Sequence, residues 1–327
     1  MEKITAIILA AGKGTRMRSP KPKVLHEVCG TTLLEYVVEA VQNAEISEII
    51  IVVGDKKEAV RNSLKGIPVK IAEQLEQLGT AHAVLSAKHH LPDLTDTVLV
   101  LNGDVPLIKP HTLKKLVSLH TEGGNDVTLL TVSSENPRGY GRISRDSRGC
   151  IKGIIEENEA TEEEVRIKEI NAGVYVFKKK SLWEGLENIV PDNKKGEFYL
   201  TDILSVFYRE GKRIHGLVSN TASEVLGINT QLDLTVINQI KRDEILRSLM
   251  DGGVTIVDPA STFIEKFVEI GEGTRIYPFT YICKNTRIGR CCCIGPFAYI
   301  ESGTITEDNV QIRNRTDCAF FTEGENG

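Results

Sequence analysis

Isoleucine returns at every sixth position near the end of this 327-residue chain, and this period constrains the fold more than any other feature. It stands at positions 264, 270, 276, 282, 288, 294 and 300, and again at 312, while Thr306 and Cys318 fill the remaining places. Two residues before each place the side chain is small or β-branched. A period of six fits neither an α-helix nor a pleated strand, but it is typical of a parallel β-helix with three hexapeptides per coil. The sequence therefore predicts a short left-handed parallel β-helix of three coils between residues 264 and 318.

The region 1–228 follows another plan, because short apolar runs alternate there with stretches of helical periodicity. Within residues 31–43, for example, Leu34, Val37 and Val41 recur at helical spacing. Such alternation predicts a mostly parallel sheet with helices on both faces, an α/β domain of the Rossmann-like type. Between residues 126 and 177 the apolar runs stand closer together, which predicts an antiparallel or mixed extension of the sheet.

A helix is predicted between these two regions. Within residues 229–250, Leu232, Val236 and Ile240 recur at helical spacing, which is typical of a linker helix. We therefore expect an α/β domain at residues 1–228, a linker helix at 229–251 and a hexapeptide-repeat domain at 252–327.

Composition excludes several classes of protein. The net charge of −5 offers no general attraction for nucleic acid or for an anionic membrane. The seven cysteines are odd in number and form no CxxC pair, which argues against both a disulfide framework and a zinc site. The longest aliphatic run, residues 49–53, is far too short to span a membrane. These features predict a soluble protein of the reducing cytoplasm.

A glycine-rich segment directly after the first predicted strand has the composition of a phosphate-binding loop. Glycines let backbone N–H groups approach an anion, and small alanines leave the strand end open to a base or ribose. Residues 12–23 contain five basic residues and no acidic one, which predicts a positive pocket in an acidic protein. A solvated basic loop is the alternative reading. The residues expected at the nucleotide are Leu9, Ala10, Ala11, Gly12 and Gly14, and the basic ones are Lys13, Arg16, Arg18, Lys21 and Lys23.

Asp104 is the second candidate, since it follows the apolar run of residues 97–101. Ligands of open α/β sheets bind at the carboxyl ends of the strands, where a carboxylate could hold Mg²⁺ against phosphate oxygens. An aspartate that only forms a turn would fit the same position equally well.

The ordered motifs of residues 1–230 resemble those of the bacterial N-acetylglucosamine-1-phosphate uridylyltransferase family. The first motif marks sugar nucleotidyltransferases broadly, whereas the full set is far more specific, and a six-residue repeat also forms this family's second domain. The motifs are LAAGKGTRM at 9–17 with Pro22 and Lys23, EQLGTAHAV at 76–84, GDVPLI at 103–108, GYGRI at 139–143, EINAG at 169–173 and GEFYLTDI at 196–203.

The resemblance implies that a sugar 1-phosphate oxygen attacks the α-phosphorus of UTP and that pyrophosphate leaves. Such a reaction needs positioning and cations, not a protein nucleophile. We expect Arg16 and Lys23 to supply the positive charge. By motif correspondence, Asp104 and Asn229 would hold Mg²⁺; Gln74, Gly79 and Thr80 would meet the uracil; and Gly103, Gly141, Glu156 and Asn171 would face the sugar.

Several of these residues have plainer readings from the sequence alone. Thr80 and Asn229 could each be a helix cap, and Glu156 belongs to an acidic run that is typical of solvated surface. Thr201 precedes an apolar helical run, so we interpret it as a helix cap and leave it out of the site.

The repeat region departs from the family. Its bifunctional members carry a longer β-helix with an acetyl-transfer site that uses a histidine, whereas the last histidine here is His215. We therefore expect uridylyltransferase activity without acetyltransferase activity. Family β-helices associate as trimers, which implies a homo-oligomer here.

Two alternatives stay open. The first is a uridylyl- or thymidylyltransferase for another sugar 1-phosphate, such as glucose 1-phosphate. The second is a non-catalytic subunit that binds nucleotide sugars, although an acidic metal ligand opposite a cationic loop is more than such a binder needs.

Overall fold

The computed structural model describes residues 3–54, 56–191 and 196–313. Its α-helices are α1 (Leu33–Asn43), α2 (Lys57–Ser63), α3 (Thr80–Ser86), α4 (Pro110–Gly123), α5 (Lys179–Glu187), α6 (Ile203–Arg209) and α7 (Gln231–Asp251). Its strands are β1 (Ile4–Ala10), β2 (Glu27–Val28), β3 (Thr31–Thr32), β4 (Glu48–Val53), β5 (Lys70–Glu73), β6 (Thr97–Asn102), β7 (Val127–Ser133), β8 (Arg142–Arg145), β9 (Ile151–Ile155), β10 (Glu169–Lys178), β11 (Ile214–Ser219), β12 (Thr255–Ile256), β13 (Phe263–Ile264), β14 (Glu269–Ile270), β15 (Arg275–Ile276), β16 (Tyr281–Ile282), β17 (Arg287–Ile288), β18 (Cys293–Ile294), β19 (Tyr299–Ile300) and β20 (Gln311–Ile312).

The chain forms two compact units. Met1–His26 and Leu33–Thr230 make the first, and Glu27–Thr32 joins Gln231–Gly327 in the second. No sequence feature indicated that a short segment so near the N-terminus would belong to the second unit. The division at residues 228 and 251 stays a prediction about where independent domains begin and end.

A mixed nine-stranded sheet forms the centre of the first unit. Its main path runs β11-β7-β10-β6-β1-β4-β5, and β8 and β9 extend it as an antiparallel pair. Strands β6, β1, β4 and β5 are mutually parallel, whereas β10 is antiparallel to both β6 and β7. The predicted parallel core and its antiparallel or mixed extension are therefore both present.

Helices cover both faces of this sheet, because successive residues of a strand point to opposite sides. In β1, Ile8 packs into a core with residues of α1 and α4, while Ile7 packs into a second core with residues of α3, α5 and α6. The predicted face of α1 is buried at Leu34, Val37 and Val41. The first unit is thus a doubly wound α/β fold, as predicted.

The second unit is built on the predicted left-handed β-helix. Short strands of successive coils pair in parallel, and most pairs are three hexapeptides apart, as in Phe263 with Tyr281 and Tyr281 with Tyr299. One coil therefore contains three repeats, as expected. Ile282, Ile294 and Ile300 are fully buried. The repeat positions Thr316 and Cys318, and with them the end of the expected third coil, lie outside the described residues.

The corners of the coils recur in a left-handed backbone conformation, one in each hexapeptide. Glycine and asparagine adopt this conformation readily, whereas phenylalanine does so at a cost. Among the described residues, three of the eight corners are nevertheless phenylalanine, which the isoleucine period does not reveal. The corner residues are Phe267, Gly273, Phe279, Asn285, Cys291, Phe297, Gly303 and Asn309.

Helix α7 has nearly the predicted length, but two of the apolar residues that indicated it are not buried. Leu232 and Val236 are exposed, whereas Ile237 and Leu246 are buried. Leu246 packs with the isoleucines of the β-helix core, so the helix covers an end of that core. Because the helix contacts different surfaces along its length, its buried residues do not form a single apolar stripe. None of the described helices is long and apolar enough to cross a membrane.

Candidate active site

The candidate site lies along the carboxyl ends of the parallel strands. Strand β1 pairs in register with β6 so that Leu9 lies opposite Asn102, and the Gly103 N–H donates to the Leu9 carbonyl at 2.9 Å. The phosphate-loop segment after β1 and Asp104 after β6 therefore leave the sheet side by side. A Cβ atom at Gly103 would lie 3.2 Å from the Leu9 carbonyl oxygen, so the two chain segments approach closely.

The turn after β1 is fixed by one buried side chain and one glycine. Ala10 and Ala11 are buried, Gly12 is exposed, and a single 3₁₀ turn at Thr15–Met17 follows, anchored by the buried Met17. Gly14 has a φ of +60°, and a Cβ atom there would lie 2.8 Å from the Lys23 Cβ. Glycine at this position therefore lets the stem of Lys23 pack against the turn.

Four predicted residues meet directly at this edge. The Lys23 ammonium forms an ion pair with the Asp104 carboxylate and donates to the Asn229 Oδ1 at 2.8 Å. The Arg16 Nη2 donates to the same Oδ1 at 2.8 Å. The Ile228 N–H donates to the Asp104 carbonyl at 3.2 Å, which brings the Asn229 segment to the end of β6. The predicted catalytic pair and the predicted metal ligands therefore share one cluster.

The oxygens of this cluster suit a divalent metal ion. A carboxylate and an amide oxygen converge on a single cationic group, the Lys23 ammonium, and hard cations prefer such oxygens. Two protein ligands are few, and the described residues contain no cluster of three or more histidine, cysteine or acidic side chains. A metal ion here would therefore take its remaining ligands from phosphate oxygens and water, as Mg²⁺ commonly does.

The residues expected at the base lie on the β5 side of this cluster. The Gln74 N–H donates to the Val53 carbonyl at 2.8 Å, and the Gln74 Nε2 donates to the Gly79 carbonyl at 3.0 Å. A Cβ atom at Gly79 would lie 2.4 Å from the Phe198 carbonyl oxygen, and the Gly79 φ is +116°. Only glycine fits this approach of two loops.

Thr80 is the first residue of α3, and its side chain does not cap that helix. Its Oγ1 accepts from the Leu200 N–H at 2.9 Å, and Gly79 stands at the N-cap. The reading of Thr80 as a helix cap is therefore wrong. The hydroxyl oxygen joins the loop after β5 to the segment after residue 196.

The residues expected at the sugar lie on the β10 side. The Asn171 N–H donates to the Gly141 carbonyl at 2.9 Å, and a Cβ atom at Gly141 would lie 3.7 Å from the Glu156 carboxylate oxygens. Strand β10 shifts register between Asn171 and Tyr175, and Gly173 in that bulge has a φ of +69°. The bulge turns the Asn171 segment away from regular strand pairing.

The sheet order explains why these groups line one edge. Strands β5, β4, β1, β6 and β10 are neighbours in that order, and β10 runs antiparallel to β6. The carboxyl ends of β5, β1 and β6 therefore lie at the same edge as the start of β10. The groups expected at the base and at the sugar consequently flank the glycine-rich turn after β1.

Charge differs along this edge, since the β10 side is acidic. Burial, together with the carboxylates of Glu159 and Glu156, raises the pKa of Asp202 to about 6. Burial also raises the pKa of the Tyr175 hydroxyl, and the Glu156 charge acts in the same direction. An uncharged ligand with hydroxyl groups suits such an environment better than a phosphate does.

Three functional candidates escaped the sequence reasoning. Thr201 donates through its Oγ1 to the Glu156 Oε1 at 2.9 Å, so the interpretation of Thr201 as a helix cap is wrong and Glu156 is more than solvated surface. Tyr175 accepts from the Asn171 Nδ2 at 2.7 Å. His82 contacts the Gln74 amide through its Nδ1 at 3.1 Å. All three lie in or beside the quoted motifs, but contacts between separate motifs are not readable from one sequence.

Two family models match the chain. The MobA-like NTP transferase domain matches residues 6–204, and the bacterial transferase hexapeptide model (six repeats) matches residues 267–302. These matches agree with the α/β unit and with the β-helix.

Curated relatives match over most of the chain. A bifunctional protein GlmU of Caldanaerobacter subterraneus subsp. tengcongensis is 46% identical over 93% of this chain and 66% of its own length. A bifunctional protein GlmU of Pelotomaculum thermopropionicum is 43% identical over 94% of this chain and 75% of its own length. A third, from Clostridium perfringens, is 43% identical over 98% of this chain and 78% of its own length. The chain thus spans about two thirds to three quarters of the relatives that it matches.

Proposed function

Because the chain belongs to the GlmU family and is a sugar-1-phosphate nucleotidyltransferase, we propose that it converts UTP and N-acetylglucosamine 1-phosphate to UDP-N-acetylglucosamine and pyrophosphate. An oxygen of the sugar phosphate forms the new bond to the α-phosphorus of UTP. The bond from that phosphorus to the bridging oxygen of the β-phosphate breaks, and pyrophosphate leaves with the electron pair. The attacking atom is an oxygen of an ionised phosphate, which carries no proton to be removed, so no general base is required.

One observation carries this proposal: Arg16, Lys23, Asp104 and Asn229 form a single cluster at the carboxyl edge of the sheet. Charge that accumulates on phosphate oxygens in the transition state is stabilised by fixed cations. Arg16 and Lys23 are the cations that the cluster supplies, and the backbone N–H groups of residues 11–14 lie in the adjacent turn.

We assign the metal-ligand role to Asp104 and Asn229, with Mg²⁺ as the ion. Bound there with the triphosphate, Mg²⁺ would neutralise phosphate charge. The same side chains also orient the Lys23 and Arg16 cations. We assign uracil binding to Gln74, Gly79 and Thr80. We assign sugar binding to Gly103, Gly141, Glu156 and Asn171.

The test is pyrophosphate release from UTP, measured against a set of nucleotides and sugar 1-phosphates with Mg²⁺. Arg16→Ala and Asp104→Ala should each lower kcat by roughly 10²- to 10³-fold. Arg209→Ala and Asp93→Ala remove the same charges at exposed positions and should leave kcat unchanged. Absence of turnover with every sugar 1-phosphate would overturn the proposal. A preference for glucose 1-phosphate or dTTP would instead select the alternative substrates.

Three further proposals concern the whole chain. The 327-residue polypeptide should not transfer acetyl groups from acetyl-coenzyme A to glucosamine 1-phosphate, because residues 216–327 contain no histidine to act as general base. The chain should form a homotrimer through the β-helix. The rings of Phe279 and Phe297 stack on the surface of the β-helix with their centroids 5.0 Å apart, and these residues are 60% and 64% exposed. Exposed apolar patches of this kind mark contact surfaces between proteins. The chain should act in the cytoplasm, where its charged substrates are found. Detection of acetyl transfer would refute the first of these proposals. A monomer in analytical ultracentrifugation would refute the second.

A further inference from the structure

The imidazole of His82 lies against the amide of Gln74, a contact that the reaction described above does not use. The distance between the Gln74 Nε2 and the His82 Nδ1 is 3.1 Å. His82 is half-buried on α3, one turn from the loop that carries Gln74 and Gly79. The side chain of Gln74 is 5% exposed.

The orientation of this amide follows from chemistry. A backbone carbonyl only accepts hydrogen bonds, so the amide atom that lies 3.0 Å from the Gly79 carbonyl must be the nitrogen. The second N–H of the same nitrogen faces the His82 Nδ1, which accepts it when the imidazole carries its proton on Nε2. Both amide N–H groups are therefore used inside the protein.

The amide oxygen is the group that remains. Among the described residues, no hydrogen-bond donor contacts the Gln74 Oε1, and this oxygen is not buried away from solvent. An oxygen with no N–H beside it can only accept. A ligand that pairs with Gln74 must therefore present a donor to it.

We infer that His82 is a positioning residue that fixes the Gln74 amide as an acceptor and thereby selects bases with an imide N–H, such as uracil, over cytosine. This inference rests on the proposed uridylyltransferase function. Uracil carries a proton on N3, whereas cytosine carries a lone pair there. The lone pair of cytosine would face the Gln74 oxygen, and two acceptors that face each other in a desolvated site disfavour binding.

Removing His82 takes away one of the two hydrogen bonds that hold the amide and leaves only the bond to the Gly79 carbonyl, so the amide oxygen is held less firmly toward the base. The preference of the protein for UTP over CTP should then fall about fivefold, which corresponds to about 1 kcal/mol for one neutral hydrogen bond. His82→Leu removes the acceptor. His82→Asn places an amide oxygen close to the position of Nδ1 and should restore most of the preference.

The experiment measures the Kd values of UTP and CTP by calorimetry on the full chain with Mg²⁺ and without sugar phosphate. The control is His89→Leu, which removes an exposed histidine shortly after α3 and should leave the ratio of Kd values unchanged. A lower ratio of the CTP Kd to the UTP Kd in His82→Leu, with recovery of this ratio in His82→Asn, supports the inference.

An unchanged ratio in His82→Leu, or an equal loss in both variants, would overturn the inference. So would equal binding of UTP and CTP by the wild-type protein. If the wild type prefers UTP in binding but releases no pyrophosphate with any sugar 1-phosphate, the proposed function fails while the role of His82 stands.

Discussion

Lys23 competes with any divalent ion for the oxygens of Asp104 and Asn229. Lys23→Met keeps a long apolar stem and removes the ammonium. We expect this variant to bind Mn²⁺ roughly tenfold more tightly in the absence of nucleotide, because charge-assisted hydrogen bonds to the same oxygens no longer oppose the ion. Turnover should fall in the same variant. Electron paramagnetic resonance of free Mn²⁺ measures the affinity.

The matched control is Lys65→Met, which removes an exposed lysine that is not part of the cluster of Lys23, Asp104 and Asn229. It should change neither Mn²⁺ affinity nor turnover. Weaker Mn²⁺ binding by Lys23→Met would show that the ammonium supports the ion instead of competing with it.

Asp202 should make the stability of the protein depend on pH. Its folded pKa of about 6 lies above the ordinary value of 3.8, so the folded state binds this proton more tightly than the unfolded chain does. The resulting stabilisation is complete below pH 3.8 and is lost as the pH rises through about 6. Asp202→Asn should therefore melt at a higher temperature than the wild type at pH 8, and the difference should shrink as the pH falls toward 4.

Thermal unfolding followed by circular dichroism across this range tests the expectation. Asp93→Asn, at an exposed position, serves as control and should follow the wild type at every pH. A difference between Asp202→Asn and the wild type that does not change with pH would contradict the assignment of the raised pKa to Asp202.

Single residues show how far a sequence can predict a site. That Lys23 and Asp104 would lie at the same edge of the sheet was predictable, because a glycine-rich turn and a carboxylate each follow a predicted strand. The partners of these residues were not. Thr201 donates to Glu156 from 45 positions away, and Tyr175 reaches Asn171 only because a bulge interrupts β10. Contacts of this kind depend on packing, which no local pattern encodes.

Among elements, the β-helix offers a direct test of the isoleucine period. Ile282 is fully buried, whereas Ile305, outside the inward positions, is 74% exposed. Ile282→Ala should cost about 2–5 kcal/mol of the free energy of unfolding, since it leaves a cavity among close-packed side chains. Ile305→Ala should cost less than about 0.5 kcal/mol. Urea unfolding followed by circular dichroism distinguishes them, and equal costs would contradict the inward-facing assignment.

Helix α7 shows the limit of periodicity as evidence. Its bounds were nearly predictable, because polar and apolar residues alternate over about six turns without proline or glycine. Its buried residues were not predictable, because Ile237 and Leu246 are buried by the elements that happen to pack against the helix at those positions. The left-handed corners of the β-helix were unpredictable for another reason: three of them are phenylalanine, which propensity alone excludes.

Across the whole molecule, the chain passes from the first unit to the second at residue 27 and returns at residue 33. Within the second unit, the Cys29 N–H donates to the Asn238 Oδ1 at 2.9 Å, and the Cys29 carbonyl accepts from the Lys266 N–H at 2.9 Å. Burial, and to a lesser degree the Glu265 carboxylate, raises the pKa of the Cys29 thiol to about 11. The segment is thus held at a position where its thiol is protonated and covered.

Iodoacetamide at pH 8 should therefore label Cys29 slowly and the exposed Cys150 quickly. Asn238→Ala removes the acceptor of the Cys29 N–H and should accelerate labelling of Cys29 about tenfold, as the segment opens more often. Gln239→Ala, at the exposed neighbouring position, should have no effect. Peptide mass spectrometry measures both rates. Equal labelling of Cys29 and Cys150 in the wild-type protein would contradict the buried position of the segment.

The pairing of each strand with its counterpart one coil further on gives the β-helix a natural unit of growth. Gain or loss of one whole coil keeps all inward side chains inward and each face paired with the same face, whereas a change that is not a multiple of six residues would turn the inward side chains toward water. A β-helix of this kind can therefore change its length by whole coils while the remaining coils keep their packing. Tail length and phosphate chemistry are free to evolve separately in this architecture.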